Sequence, residues 1–128
     1  MNQQATIMAE PVDIAEKMAL ITEHWRPRVA AEFTGQELRI VKVQGDFPWH
    51  FHEDYDEVFI GWKGEVRVEF RDRTVTVRPG QVFVVPRGIE HRTVADSEAE
   101  VLFIAAIGAR NTGNVDDHIY TAPTGVRA

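Results

Sequence analysis

The sequence predicts an all-β domain, an antiparallel sandwich or barrel carrying one short N-terminal helix. Short runs rich in β-branched and aromatic residues follow one another between residues 28 and 107. Turn-forming pairs separate them. No long helical period lies between any two, which argues against the βαβ units of a parallel sheet.

Residues 11–25 read as the helix, because Pro11 suits a first turn and Ile14, Met18 and Ile21 recur at spacings of four and three. After Pro27 come "RVAAEF", "ELRIVKV", "EVFIGW", "EVRVEF", "TVTV", "QVFVV" and "EVLFIAAI". They are punctuated at Thr34-Gly35, Gly45-Asp46, Lys63-Gly64, Arg71-Asp72, Pro79-Gly80 and Arg87-Gly88. From Gly108 the apolar rhythm is lost, and the end of the chain reads as extended or loosely ordered. The expected organisation is an N-terminal helical extension (1–27), a β-domain (28–107) and an extended C-terminal tail (108–128).

A chain of 128 residues can bury a core without staples. A net charge of −6, with eleven arginines and three lysines scattered rather than clustered, argues against nucleic acid and anionic membranes as partners. The absence of cysteine excludes disulfides, thiolate metal sites and thiol nucleophiles, so any metal must be held by nitrogen and oxygen. The first 25 residues lack the basic and apolar regions of a secretory signal, and no apolar run approaches a membrane span, so a cytoplasmic location is expected.

The stretch "WHFHEDYDE", residues 49–57, is the strongest chemical signal. Side chains two apart on a strand share a face, so His50 and His52 can converge while Trp49 and Phe51 point away. "EDYD" reads as a polar turn after which Glu57 returns on the next strand. Two neutral imidazoles and a carboxylate suit zinc, iron, manganese, nickel or copper. On this stretch alone, a solvated turn that happens to contain histidines explains the pattern equally well. Further on, "GQVFVVPRGIEHRTV" is a strand, a Pro-x-Gly turn and then His91 opening another strand, which offers a third imidazole from a distant point.

Taken together, these two stretches resemble the cupin superfamily, specifically a small single-domain cupin. In "GDFPWHFHEDYDEVFIGWKG", His50, His52, Glu57 and Gly64 fall on the family's first motif, with Gly45 one residue closer to His50 than the pattern has it. In "GQVFVVPRGIEHRTVA", Gly80, Pro86, Gly88 and His91 fall on the second, whose final Asn is replaced here by Ala95. The resemblance covers about residues 36–107 and implies an antiparallel jelly-roll β-barrel. It implies four metal ligands, His50, His52, Glu57 and His91, for one divalent transition metal such as iron, manganese, nickel or zinc. Glu53, Asp54 and Asp56 are then the solvated turn.

Cupins support dioxygenases, isomerases, decarboxylases and plain binding modules, so fold and ligands do not choose the reaction. Continuing the inward faces puts Phe59, Gly61, Lys63, Thr93, Phe103 and Ala105 around the site. That cavity is mostly apolar and suits a small hydrophobic or aromatic ligand. Arg39, Arg87 and Arg92 are expected on ordinary surface, leaving no basic mouth for a sugar phosphate. The expected function is a metal-dependent enzyme on a small organic substrate, an oxygenase ahead of an isomerase. The alternative is a non-catalytic module in which metal holds a ligand or the barrel. His24, expected at the helix end, and His118, in the tail, are read as unrelated to the site.

Val58, Ile60 and Trp62 lie opposite Glu57 and, with Trp49 and Phe51, form an outward row too apolar to face water as one patch. The helix can cover part of it and a second subunit the rest, so a homodimer is expected. Pairing of the "RVAAEF" edge with a neighbour is a further route.

Overall fold

The computed structural model describes residues 10–128. Its elements are a helix, α1 (Ile14–Ala19), and seven strands: β1 (Arg28–Phe33), β2 (Gln36–Asp46), β3 (Glu57–Lys63), β4 (Val66–Glu69), β5 (Thr74–Val77), β6 (Val82–Val85) and β7 (Arg92–Ala106). Every pairing between strands is antiparallel, in the order β1-β2-β7-β3-β6, with β4 joining β7 to β5. The expected all-β class with a short helix is what the chain adopts. No helix among the described residues is long and apolar enough to cross a membrane.

The helix is shorter than its 3.6-residue period predicts. Asp13 caps it by accepting the Glu16 N–H at 2.9 Å, and Leu20 closes it. The chain then pairs with β2: His24 forms a parallel bridge with Lys42, and the Trp25 N–H donates to the Lys42 carbonyl at 2.9 Å. Pairing with β2 therefore takes His24 and Trp25, which the apolar period assigns to the helix. His24 is not at a helix end but stands 2.7 Å from Glu98 Oε2.

Strand β7 is the spine. It pairs with β2, β3 and β4, and one continuous strand replaces the two expected on either side of "ADSEAE". Its register against β2 slips between the pairs Val43↔Ala99 and Gly45↔Ala95, and Asp96, Ser97 and Glu98 stand exposed in the excess. Pro79 and Gly80 occupy the centre of the β5–β6 turn, closed by the Gln81 N–H donating to the Arg78 carbonyl at 2.9 Å.

Alternation on the strands makes two cores. Val41, Val43, Phe59, Val66, Val101 and Phe103 belong to the interior one. Met18 and Ile21 pack on the opposite face of the sheet over Ala30, Ile40 and Leu102, with Ile60 alongside. One expectation fails here: Arg39 is not surface but 4% exposed, sharing the interior face of β2 with Glu37, to which its guanidinium donates at 2.8 Å. Burial of a charge on that face is possible because its partner sits two residues away on the same strand.

The last 21 residues are held rather than loose. Thr112 is fully buried, its hydroxyl 2.6 Å from both the Val115 carbonyl and the Thr121 hydroxyl. At the C-terminus the Val29 N–H donates to the Val126 carbonyl (2.7 Å) and the Ala128 N–H to the Val29 carbonyl (2.9 Å). The outer edge of β1, expected to be open to a neighbouring chain, is thus paired at Val29 by the chain's own end.

Candidate metal centre

An isolated antiparallel bridge brings the two histidine stretches together. The His50 N–H donates to the His91 carbonyl and the His91 N–H to the His50 carbonyl, both at 2.9 Å. Glu57 opens β3 opposite Val85, one residue before Pro86 ends β6. Two further bonds tie the polar turn to the Pro-x-Gly turn: the Gly88 N–H donates to the His52 carbonyl at 2.8 Å, and the Arg87 N–H to Asp56 Oδ1 at 2.9 Å. Glu53, Asp54 and Asp56 are exposed, as a solvated turn requires.

His50, His52, Glu57 and His91 are all buried, and one ligand-capable atom from each lies within 4.8 Å of all the others. His50 Nδ1 is 2.8 Å from the Pro48 carbonyl and His91 Nδ1 is 2.9 Å from the Ile89 carbonyl. A carbonyl only accepts, so each Nδ1 carries the proton and each neutral imidazole keeps its Nε2 lone pair. Burial first, and then the neighbouring His91, lower the His50 pKa from 6.5 to about 4 and keep that ring neutral. Burial alone would raise the Glu57 carboxyl; positive charge on the facing His52 and His91 rings, whenever they take a proton, outweighs it and holds the group below the usual carboxylate range.

The His52 and His91 Nε2 atoms stand 3.5 and 3.4 Å from Glu57 Oε1, too long for charge-assisted hydrogen bonds. None of these three buried atoms has another partner. Buried acceptors converging with no donor between them are costly, and a divalent cation relieves that cost. The donor set of three imidazole nitrogens and one carboxylate oxygen therefore fits a transition metal, and the bonds at Nδ1 are of the kind that orient imidazole ligands.

An apolar cavity with an open mouth reaches His50 and Glu57. Phe59, Thr93 and Phe103 line it as their strand faces predict. Gly61, Lys63 and Ala105 do not: Lys63 is exposed at the strand end, and Ala105 belongs to the core. Sequence reasoning missed Trp25 and Asn111, which come from outside the two motifs, and Phe47, which lies within the first. The Trp25 indole N–H is used by the Gln44 carbonyl at 3.0 Å. The Asn111 amide is used at both ends, by the Tyr120 carbonyl and the Ala122 N–H, each at 2.9 Å. No arginine or lysine lines this cavity. The Arg92 side chain donates instead to Glu69, and the exposed Arg87 side chain stands 3.5 Å from Asp56. His24 and His118 lie outside the cluster.

Comparison with known proteins gives a consistent picture. The family model described as "Cupin domain" matches residues 37–107. An uncharacterised protein of Bacillus subtilis, YdbB, is 28% identical over 94 residues, which are 73% of this chain and 77% of that protein. A cupin-2 domain containing protein from Shewanella frigidimarina is 36% identical, with a TM-score of 0.73 over 82% of this chain and 99% of that one. Hydroquinone 1,2-dioxygenase PnpCD, solved with Cd2+ and 4-hydroxybenzonitrile, shares the fold at 20% identity, with a TM-score of 0.64 over 80% of this chain and 78% of that one.

Proposed function

Because the chain belongs to the cupin domain family, we propose that it is a metal-dependent enzyme acting on a small organic substrate, with an oxygenase ahead of an isomerase. The observation that carries this reading is the convergence of unpartnered His52, His91 and Glu57 ligand atoms beside His50, with an apolar cavity reaching His50 and Glu57. His50, His52, Glu57 and His91 are the proposed ligands. A divalent ion held there would supply Lewis acidity, and a redox-active one would add redox chemistry. The chain's own groups do the rest: Pro48 and Ile89 fix two imidazole tautomers, Phe59 and Phe103 exclude water, and Thr93 offers a hydroxyl to a substrate. The dioxygenase neighbour was solved with a divalent metal, Cd2+, and a small hydroxylated aromatic, 4-hydroxybenzonitrile, which supports the oxygenase reading.

A second reading, a non-catalytic small-molecule binding module, is favoured by one observation. Apart from His50 and Glu57, no ionisable side chain lines the cavity to act as an acid or base. Elemental analysis of protein purified without chelator or affinity-column metal, beside His91→Ala, separates the readings. Near-stoichiometric iron lost in the variant, with oxygen consumed on addition of small aromatic or thiol compounds, is expected for the oxygenase. Zinc, nickel or manganese directs the search to isomerisation or binding, and absence of metal after reconstitution defeats the metal reading.

A homodimer and a cytoplasmic location are parts of the same proposal. Trp62, Val82 and Val84 are 41%, 62% and 46% exposed on the outward side of the β3–β6 pair, beyond the part of the sheet that α1 covers.

A further inference from the structure

The residue between the two histidines of the motif is gripped by the C-terminal segment. The Phe51 N–H donates to Asn114 Oδ1 at 2.8 Å, and the Asn114 N–H returns to the Phe51 carbonyl at 3.1 Å. Both backbone groups of Phe51 are thus bonded to one residue 63 positions away. Gly113 lies flat against the same peptide. It has φ +56°, and a Cβ there would run into the Phe51 carbonyl oxygen and press on the His50 ring.

The grip is braced on its other side. The Gly113 N–H donates to the Arg110 carbonyl at 3.0 Å and the Val115 N–H to the Thr112 carbonyl at 3.0 Å, while buried Thr112 ties this turn to Thr121. Asn111 ties it to residues 120 and 122, and Tyr120 packs edge-on against Phe47, whose ring in turn meets His50 edge-on at 5.2 Å. The segment therefore reaches His50 along two routes, through the backbone of Phe51 and through the Tyr120–Phe47 pair.

His50 and His52 flank Phe51, so rotation of either peptide at Phe51 swings an imidazole away from Glu57. On one side His50 is fixed by its bridge to His91, and on the other the His52 carbonyl takes the Gly88 N–H. Between these two anchors, Asn114 supplies the only bonds to Phe51 among the described residues. We propose that Asn114 and Gly113 are positioning residues of the metal centre: the C-terminal segment sets the spacing of the His50 and His52 nitrogens and so sets metal affinity. This rests on the metal reading above.

The test is zinc affinity of the full-length chain, stripped with chelator and titrated with Zn2+ against a chromophoric chelator. It would be run for the parent, Asn114→Ala, Asn114→Asp, Gly113→Ala and the exposed tail control Asp116→Ala. Thermal unfolding of each metal-free protein is recorded in parallel. Asn114→Ala is expected to weaken zinc binding about tenfold or more. Its metal-free melting temperature should fall no further than that of a surface control, and the Co2+-loaded protein should show an altered d–d spectrum. Asn114→Asp keeps the acceptor for the Phe51 N–H and is expected to restore affinity, and Asp116→Ala to match the parent. Parent-like affinity and spectrum in Asn114→Ala would overturn the proposal while leaving the metal reading intact. So would a lowered metal-free melting temperature with unchanged affinity, the result of a merely structural role. A parent that binds no zinc overturns the metal reading and this inference with it. Gly113→Ala serves only if it folds, and the Asn114 pair decides the question without it.

Discussion

The Tyr55 hydroxyl lies 2.8 Å from His52 Nδ1, and the phenol ring packs 4.8 Å from the imidazole. With a metal on Nε2, Nδ1 would carry the proton and donate to the Tyr55 oxygen. Tyr55 thus does for His52 what the Pro48 and Ile89 carbonyls do for the other two rings. Burial, reinforced by the Glu57 charge, pushes the Tyr55 phenol up, so it stays a neutral partner. Tyr55→Phe is expected to keep the fold and to lower metal affinity about tenfold, the size of effect typical for groups that orient a ligand. Competition titration with a chelator measures it, and an unchanged affinity would count against the tautomer assignment.

His52→Ala is expected to remove bound metal without unfolding the chain, because the backbone bond from Gly88 to its carbonyl survives. Stoichiometric metal retained in that variant, by elemental analysis, would sink the ligand assignment.

Acid should destabilise the metal-free protein. His50 has its folded-state pKa lowered from 6.5 to about 4, so the unfolded chain binds the extra proton between those values. Stability is then fully present above the unfolded pKa of 6.5 and falls as pH drops toward 4. The contribution is on the order of 3 kcal/mol. Glu57, held below the usual range, adds a loss in the same direction that begins lower, as pH falls through the ordinary carboxylate range. Urea unfolding at a series of pH values should show the first slope, and His50→Gln should flatten it. Equal pH dependence in parent and variant would refute the assignment.

Six of the seven strands were legible as short β-branched or aromatic runs between turn formers, whereas β7 runs on where two strands were expected; alternation carried Phe59, Thr93 and Phe103 to the cavity. The four clustered residues were legible because two spaced motifs fix them. What escaped was set by tertiary pairing. Nothing in an apolar period reveals that His24 and Trp25 pair with Lys42, so the helix was drawn too long. Arg39 reads as surface until its strand face is compared with that of Glu37, two residues earlier. The tail acts through backbone groups and through Asn111, Thr112 and Asn114, polar residues that leave no hydrophobic rhythm. Tyr55 was hidden inside a turn whose acidic neighbours are solvated.

Gly61 is the tightest backbone contact of β3. A Cβ there would overlap the Arg78 carbonyl, and the same two segments exchange bonds, Gly61 N–H to the Gln81 carbonyl (2.9 Å) and Gly80 N–H to the Gly61 carbonyl (2.8 Å). The neighbour is backbone and cannot rotate away. Gly61→Ala is expected to destabilise by about 3 kcal/mol, at the upper end of ordinary overpacking. Thermal or urea unfolding reads this, and a loss below about 0.5 kcal/mol, the surface range, would contradict the close approach.

Trp62 tests the homodimer. It continues the outward row of Val58 and Ile60 on β3, and Val84 and Val82 stand opposite those two on β6. The outward face has two ends with different fates. Toward β7, Met18 of the helix and Ile21 beyond it complete a core with Leu102 and Ile60. At Trp62, Val82 and Val84 the sheet is left exposed within a single chain. Burying that end against its copy in a second subunit satisfies the apolar surface by one isologous contact. A carboxylate placed at its centre would have to be desolvated twice over, without a cation to pair with. Trp62→Glu is therefore expected to give monomers by light scattering at concentrations where the parent is dimeric, with the metal content of the chain unchanged. A parent that is monomeric, or a variant that stays dimeric, removes this face as the interface.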